Sequence, residues 1–410
     1  MTDTLSQTSQ RSSQPASRSP QPSPRSSVEI YRMWQIYKAV NQRLRQGGEV
    51  VNLLVGEPTF PAPAKAVDAV AAAMRAGPVG YTETLGIRPL RQGIADLYRR
   101  RHGLTIPPER IAVTIGTSSG FMLAFLAAFE AGQKVAVVEP CYPAYRGTLK
   151  ALNLTPHRIG TDAANGFRPR AADIAALPAD VAGVVLASPA NPTGTLLRET
   201  DLAEIYAVCQ RRGLWLVVDE LYHGIVYGPT APSILSQGPE AIVVNGFSKY
   251  WGMTGCRIGW LVLPERLAPR VEALAGSLQI SAPYLSQVAA LAALDCEPEM
   301  DERVALYAAN REKLLRTLTN LGLDKFAPPD GAFYLYCDVG HLTEDSAAFC
   351  QRMLDETGVV AAPGADFDSE QGHRFIRFSF SVEPETIDRA LQRLAEWLPK
   401  QRVVAAEKTR

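Results

Sequence analysis

Residues 244–259 read Val244-Asn245-Gly246-Phe247-Ser248-Lys249-Tyr250-Trp251-Gly252-Met253-Thr254-Gly255-Cys256-Arg257-Ile258-Gly259. Lys249 follows an apolar run that predicts a buried strand, and Arg257 comes eight residues later in a glycine-rich loop. Burial and nearby positive charge lower the pKa of a lysine amine, which makes it nucleophilic at neutral pH. Such an amine can form a Schiff base with an aldehyde cofactor, and the arginine can hold that cofactor's phosphate. Taken alone, the stretch also fits a surface lysine and a structural arginine.

The composition indicates a soluble globular protein. The chain has 410 residues, 46% hydrophobic and 20% charged, with a formal net charge of +0. This length suits roughly two or three folding units. The zero net charge gives no electrostatic reason to expect nucleic acid or an anionic membrane as a partner. No uninterrupted apolar stretch approaches the roughly 20 residues that cross a bilayer, so we expect a cytoplasmic protein with no membrane partner.

The cysteines and histidines do not predict a metal site. The six cysteines are scattered without CxxC spacing, and the five histidines form no HExxH pair. Because no secretory signal is present, we expect free thiols in a reducing compartment.

The composition and hydrophobic pattern of the sequence change along the chain. Residues 1–27 consist mainly of Ser, Gln, Pro and Arg, and such a segment buries too little surface to offset its ordering entropy. We expect it to be a disordered extension, with a transit peptide as the alternative. Residues 28–50 are expected to pack beside a small domain, residues 51–287 to form a large domain, and residues 288–400 to form the small C-terminal domain.

The large domain is predicted to contain a mostly parallel sheet. Continuous apolar runs without polar alternation suit strands that are buried on both faces. Helical windows lie between several of them, at Phe121–Glu130 and Glu199–Arg212, which predicts a three-layer α/β domain. The predicted strands are Ile111–Ile115, Lys134–Val138, Gly183–Leu186, Leu214–Val218, Ala241–Val244 and Ile258–Leu263.

The C-terminal part reads as a smaller α+β unit. Asp301–Leu321 and Ser346–Thr357 are predicted helices, and Phe333–Cys337 and Phe375–Phe380 are predicted strands. The helical segment Val28–Gln46 is expected to pack beside this unit.

Small polar residues follow the first predicted strand. Open α/β sheets bind ligands at the carboxyl ends of their strands. In Thr114–Gly120 (TIGTSSG), small side chains allow backbone N–H groups and hydroxyls to converge on an anion at a helix N-terminus. A purely structural turn is the alternative, since the segment lacks P-loop and GxGxxG spacing.

Two later loops place polar groups at strand ends. In Ser188–Thr195 (SPANPTGT), two prolines fix the loop, X–Pro bonds can be cis, and Asn191 offers a rigidly placed amide. In Trp215–Tyr222 (WLVVDELY), Asp219 ends an apolar strand, where a carboxylate is costly unless it is paired. Asp219 could keep a pyridine nitrogen protonated, and Tyr222 could reach the same ligand. The alternatives are a plain turn, an N-cap aspartate and a core tyrosine.

A third candidate lies near the C-terminus. Arg374–Phe380 (RFIRFSF) reads as a strand, and its alternation places Arg377 on one face with Phe375 and Ser379. Arg377 could clamp a substrate carboxylate with two parallel hydrogen bonds, and a solvated surface arginine is the alternative.

In combination and in this order, the motifs resemble those of the class I/II aminotransferases, pyridoxal 5′-phosphate (PLP) enzymes of the aspartate-aminotransferase-like superfamily. The shared motifs are the Gly/Ser loop, SPxNPTG, DExY, SK-x7-R and the late strand arginine, and the resemblance spans about residues 30–395. It implies the three-layer PLP-transferase fold of type I, with a mostly parallel seven-stranded sheet in the large domain and a smaller α+β domain.

The resemblance also implies roles for the residues that match the family's motifs. Lys249 would bind the cofactor covalently and later carry the proton between substrate and cofactor. Asp219 would pair with the ring nitrogen, and Asn191 and Tyr222 would hydrogen-bond the phenolic oxygen. Tyr142 would stack on the ring.

The remaining implied roles concern the phosphate and the substrate. The phosphate would be bound by Arg257, Ser248, Thr117 and Ser118, and by Tyr81 of the neighbouring subunit, which implies a homodimer. The substrate α-carboxylate would be received by Gly56 and Arg377, beside Asn191.

Two positions depart from the family pattern. Gly246 stands where many relatives have a phosphate-binding serine, so Ser248 would have to carry more of that role or cofactor affinity would drop. Cys256 stands where relatives usually have tryptophan, and we expect a repacked neighbour without a change of reaction.

The implied activity is a ping-pong transfer of an amino group between an L-amino acid and a 2-oxo acid. Neither Ser277–Pro283 nor Ser118 supplies an extra cation for a side-chain carboxylate, which favours a neutral or apolar donor. A PLP-dependent β-lyase, decarboxylase or cyclopropane-forming synthase of the ACC-synthase type is the alternative, because pocket geometry selects the bond that breaks. A cofactor-sensing regulator is a weaker alternative, because residues 1–27 are too short and polar for a DNA-binding helix pair.

Overall fold

The structure is a computed structural model and describes residues 21–408. Residues 1–20 of the expected disordered extension lie outside the described residues. Residues 24–26 form an exposed 3₁₀ turn, and the first helix begins at Arg32.

The described residues contain twelve strands and twelve α-helices. The strands are β1 (Val51–Asn52), β2 (Ile111–Thr114), β3 (Lys134–Glu139), β4 (Thr155–Gly160), β5 (Val181–Ala187), β6 (Trp215–Asp219), β7 (Ile242–Gly246), β8 (Gly259–Val262), β9 (Tyr334–Asp338), β10 (Val359–Val360), β11 (Ala362–Pro363) and β12 (Phe375–Ser379). The helices are α1 (Arg32–Arg45), α2 (Ala64–Ala76), α3 (Arg88–His102), α4 (Gly116–Ala128), α5 (Ala144–Ala151), α6 (Ala171–Ala175), α7 (Glu199–Arg212), α8 (Ala268–Leu278), α9 (Tyr284–Ala293), α10 (Glu297–Asn320), α11 (Ser346–Thr357) and α12 (Pro384–Lys408).

A seven-stranded sheet forms the centre, in the order β2-β8-β7-β6-β5-β3-β4. Strands β3 to β7 pair in parallel, and β8 is antiparallel to both β2 and β7. The inner strands are buried along almost their whole length, as continuous apolar runs require when helices cover both faces. The predicted α/β fold with a mostly parallel seven-stranded sheet is confirmed.

The stretch around Lys249 connects the antiparallel strands β7 and β8. Gly246 pairs directly with Gly259, and Phe247–Ile258 form the loop between them. A Cβ atom on Gly259 would lie 2.9 Å from the Asn245 carbonyl oxygen, so only glycine fits at this close backbone approach. The loop therefore leaves the sheet at a tightly packed point.

Several elements differ from the sequence prediction: α1 begins at Arg32 instead of Val28, and α10 begins at Glu297 instead of Asp301. Strand β4 (TPHRIG) was missed because it is a partly exposed edge strand without an apolar run. Helix α4 begins at Gly116, five residues before the predicted Phe121, because the Gly/Ser loop itself forms the first helical turn. The predicted helices Glu199–Arg212 and Ser346–Thr357 match α7 and α11 residue for residue.

A second, antiparallel sheet has the order β11-β12-β9, and β1 pairs with β10 in parallel. Helix α1 contacts α11 and β11, and α10 packs on α12. The domain limits at residues 50 and 287 stay predictions. In the described part of the chain, no helix is long and apolar enough to cross a membrane.

Asn310 links α10 to the end of β12. Its buried amide donates to the carbonyl oxygens of Phe380 (3.1 Å) and Val382 (2.8 Å). We predict that Asn310→Ala lowers the free energy of unfolding by about 1–3 kcal/mol, because two buried carbonyls lose their donor. Denaturant unfolding measures this, with Asn320→Ala at the exposed end of α10 as the control. Equal stability of the two variants would contradict the prediction.

Candidate active site

A cavity of about 240 Å³ lies at the carboxyl ends of the central strands. Ala187 ends β5, Asp219 ends β6, and Lys249 follows β7, as expected for ligand sites in open α/β sheets. Residues from the N-terminal segment and from the second sheet close the other side. Of the candidate residues, the lining includes Gly56, Thr117, Ser118, Tyr142, Asn191, Asp219, Tyr222, Ser248, Lys249, Arg257 and Arg377.

Lys249 is half-buried, and its amine donates a hydrogen bond to the carbonyl oxygen of Gly56 at 2.7 Å. Burial lowers the pKa of Lys249 to about 8, and the positive charges of Arg377 and Arg257 act in the same direction. The negative charge of Glu57 opposes this shift. The neutral form, which a nucleophile or base requires, is therefore far more populated near physiological pH than it is in an ordinary lysine.

Asp219 is 5% exposed and is held by two donors. Tyr145 donates its hydroxyl to Oδ2, and the backbone N–H of Leu221 donates to Oδ1 at 3.0 Å. Burial raises the pKa of Asp219 to about 6, although both hydrogen bonds act against the rise. The carboxylate is thus costly to keep charged here, and a cationic partner in the cavity would stabilise it.

Tyr145 was not among the predicted site residues. It lies in the first turn of α5, and its nearness in sequence to Tyr142 was the available signal. Tyr142 lines the cavity, and its ring contacts the Tyr145 ring edge-on at a centroid distance of 5.6 Å.

One end of the cavity is positively polarised. Helix α4 begins at Gly116, so its first backbone N–H groups lie beside Thr117 and Ser118. A Cβ atom on Gly116, whose φ is +70°, would lie 2.5 Å from Nη2 of Arg257, so this guanidinium packs against the helix N-terminus. Ser248 also lines the cavity. The combination suits an anion such as a phosphate.

Arg377 is a buried side chain with an unused donor. It is 3% exposed, which excludes the solvated-arginine alternative. Its Nη1 donates to Oδ1 of Asn191 and its Nη2 to the Leu54 carbonyl oxygen, both at 2.8 Å. Its Nε has no hydrogen-bond partner among the described residues. A buried donor without an acceptor is unfavourable, so the site suits an acceptor such as a carboxylate.

Tyr334, which the sequence did not single out, joins two candidate residues. Its hydroxyl lies 2.7 Å from that of Tyr222, and its ring lies 4.2 Å from the guanidinium carbon of Arg377. A Cβ atom on Gly56 would lie 2.0 Å from the Tyr334 hydroxyl, so glycine is required at that position. The strand containing Tyr334 reads as ordinary core, and no sequence signal marked it.

Asn191 is positioned by the proline loop. The Ser188–Pro189 and Asn191–Pro192 peptide bonds are both cis, as the sequence allowed. Because its amide oxygen accepts from Arg377, Asn191 links this loop to β12.

Tyr81 is the one predicted site residue that the cavity does not include. It is 83% exposed on the surface of this chain. Its expected role on a neighbouring subunit stays a prediction.

One of the two departures from the family pattern has a packing reason in the structure. A Cβ atom on Gly246 would lie 3.1 Å from both Gly259 Cα and Thr117 Cγ2, so the strand pairing leaves little room for a serine. Cys256 is partly buried in a 3₁₀ turn and packs against the main hydrophobic core. Neither position contributes a polar group to the cavity lining.

The chain is similar to known proteins in sequence and in fold. The sequence profile of the family "Aminotransferase class I and II" matches residues 48–394. A valine–pyruvate aminotransferase from Mycobacterium tuberculosis is 44% identical over 92% of this chain and 98% of its own length. An aspartate aminotransferase from Thermotoga maritima is 31% identical over 91% of this chain and 98% of its own length. The crystal structure of an aminotransferase from Mycobacterium tuberculosis superposes with a TM-score of 0.91 at 42% identity, covering 93% of this chain and all (100%) of that one.

The pKa of Lys249 is directly testable. In cofactor-free protein, we predict that its modification by a small amine-reactive reagent rises with a midpoint near pH 8, because the neutral amine is the reacting form. Site-resolved mass spectrometry measures the extent at each pH. Lys65 is the control, because its exposed amine pairs with Asp295, which raises its pKa. A Lys249 profile that coincides with that of Lys65 would refute the assignment.

Proposed function

The chain belongs to the class I and II aminotransferases, and we propose that its cavity binds pyridoxal 5′-phosphate at Lys249 and accepts neutral or apolar L-amino acids as donors. The observation that carries the proposal is the convergence of three groups in one cavity. They are the Lys249 amine with its lowered pKa, the buried Asp219 carboxylate, and the buried Arg377 guanidinium with a free Nε.

The residues present fit this cofactor. The N-terminus of α4 with Arg257 suits its phosphate, and Ser248, Thr117 and Ser118 offer hydroxyls there. Asp219 suits a protonated ring nitrogen, since such a cation would supply the partner that a buried carboxylate needs. When bound, pyridoxal 5′-phosphate supplies the carbonyl carbon that takes up the amino group and the ring that withdraws electrons from the substrate.

The side chains of this protein would then orient the substrate and move its proton. Arg377 would hold the α-carboxylate through its free Nε, and its bonds to Asn191 and Leu54 keep the guanidinium in place. Lys249, with a pKa of about 8, can accept the α-proton and return it. Asn191, Tyr222 and Tyr142 would position the ring.

The lining supports a donor with a neutral or apolar side chain. The cations that line the cavity are Lys249, Arg257 and Arg377, and each has a role already. None of the other described lining residues carries a positive charge for a side-chain carboxylate, whereas Met33 and Val55 are apolar. The Mycobacterium tuberculosis relative that is named a valine–pyruvate aminotransferase also supports this choice.

Elimination, decarboxylation and cofactor sensing are not favoured as alternatives. The relatives are named for amino-group transfer, among them an arginine–pyruvate transaminase of Pseudomonas aeruginosa that is 30% identical over 88% of this chain. Transfer of the amino group to a 2-oxo acid is therefore the reaction that the proposal assigns.

We also propose that the protein is a cytoplasmic homodimer with shared sites. Tyr81 is exposed together with other large apolar side chains of the neighbouring α2 segment, and a second copy would cover them. This would bring Tyr81 to the partner's phosphate site. All six cysteines are free thiols, which fits a reducing compartment. The exposed apolar side chains that a second copy would cover are Val67, Met74, Val79 and Tyr81.

Lys249→Ala should abolish turnover while leaving the fold intact. The variant loses both the nucleophile and the base, and we expect a fall in kcat of at least about 10³-fold. A coupled assay for the 2-oxo acid product measures kcat, and circular dichroism checks the fold. Lys65→Ala, which changes an exposed lysine, is the control. Transamination by the Lys249→Ala variant would contradict the assignment of Lys249 as the catalytic residue.

The reaction class is tested by mixing the purified cofactor-loaded protein with single amino acids in the absence of a 2-oxo acid. We expect the visible absorption band of the bound cofactor to shift once per site, with stoichiometric release of a 2-oxo acid, and a second 2-oxo acid to reverse the shift. Neutral donors should produce the shift at lower concentrations than aspartate. Continuous consumption of the amino acid without such a shift would assign elimination or decarboxylation instead.

A further inference from the structure

The first turn of α1 is held by a carboxylate from a distant part of the chain. Asp366, which is 6% exposed, accepts from the backbone N–H groups of Arg32 (Oδ1, 2.8 Å) and Met33 (Oδ2, 2.7 Å). The first N–H groups of a helix have no partner within the helix, and a negative charge there also interacts favourably with the helix dipole. Asp366 thus fixes where α1 begins.

The segment that carries Asp366 is itself tied to the central sheet. Arg146, in α5, donates from Nη2 to the Asp366 carbonyl oxygen at 2.7 Å and from Nη1 to Oε1 of Glu139 at 2.6 Å. Glu139 ends β3 and also accepts from Ser369. The position of α1 is therefore set relative to the sheet through Glu139, Arg146 and Asp366, which we call the clamp.

The clamp leads to the cavity through Met33. Met33 lines the cavity together with Val55, Gly56 and Arg377. These residues come from the N-terminal segment and from β12, opposite the strand ends that carry Asp219 and Lys249. A donor whose carboxylate lies on Arg377 would therefore place its side chain near the wall that contains Met33.

We propose that Asp366 is a positioning residue that holds Met33 in the cavity wall and thereby limits the length of the donor side chain. This inference rests on the proposed function, since it concerns the amino acid that the cavity accepts. Met33 provides the apolar contact and Asp366 determines how firmly that contact is placed. Without the hydrogen bonds to Asp366, α1 could shift, and the cavity would then accommodate longer donor side chains.

Asp366→Asn tests the clamp with little change of shape. The asparagine oxygen can accept only one of the two N–H groups, while its NH₂ group faces the other donor. Asp368→Asn is the matched control: Asp368 is also buried and in the same loop, but it accepts from Glu370 and Gln371 of its own loop and from Arg158 of β4 instead of from the first turn of α1. The comparison separates loss of the bonds to α1 from loss of a buried carboxylate.

The substrates are the straight-chain donors alanine, 2-aminobutyrate, norvaline and norleucine. For Asp366→Asn we expect the ratio of kcat/KM for norleucine to that for alanine to rise about tenfold, through KM, because loss of a helix cap loosens the wall. Met33→Ala should shift the ratio in the same direction, and Met33→Leu should keep the wild-type ratio. Asp368→Asn should also keep it.

Hydrogen exchange provides a readout that does not depend on activity. In Asp366→Asn, the amides of residues 32–36 should exchange faster than in the wild type and in Asp368→Asn. Unchanged exchange and an unchanged donor ratio in Asp366→Asn would overturn the inference, as would an equal loss for every donor. If the Asp366 inference fails but the wild-type protein transaminates normally, the proposed function is still supported. A wild-type protein that transaminates no donor defeats the proposed function itself.

Discussion

Burial of charged side chains at the end of an apolar sheet is the constraint on which this site depends. Removing a charge from water is costly unless hydrogen bonds or an opposite charge replace the lost hydration. Three charged residues of the site differ in how many hydrogen-bond partners replace their lost hydration. Asp219 has two donors, Lys249 has the Gly56 carbonyl, and Arg377 has acceptors for its Nη1 and Nη2 atoms but none for its Nε. The incomplete compensation raises the pKa of Asp219, lowers that of Lys249 and leaves Arg377 ready for an acceptor.

The backbone around the site is as constrained as its charges. Gly246 and Gly259 meet at the base of the Lys249 loop, Gly116 lies under Arg257, and Gly56 lies under Tyr334. At each point a side chain would occupy the place of a neighbouring backbone or functional group. The close pairing of β7 with β8 leaves little room for a serine side chain at position 246, which is consistent with the glycine found there.

Much of the fold and the site could be predicted because the relevant signals are local. The apolar runs of β5, β6 and β7, the helical period of α7 and the residues that end each strand are all readable within about ten residues. Strand β4 could not be predicted, since an exposed edge strand has no apolar run. Tyr334 could not be recognised either, because its sequence neighbours are ordinary core residues and only its contacts with Gly56, Tyr222 and Arg377 distinguish it.

The sequence by itself determined the family, the α/β sheet and the identity of the reactive groups, because motif spacing and hydrophobic pattern depend on near neighbours in the chain. Only the tertiary structure decided which of these groups meet. Met33, Asn191 and Arg377 line one cavity although they are far apart in sequence, and Asp366 caps a helix whose first N–H group lies 334 residues away. Contacts of this kind follow from how the two sheets and α1 pack. That packing also sets the burial that shifts the pKa values, so the protonation states of Asp219 and Lys249 are a property of the fold.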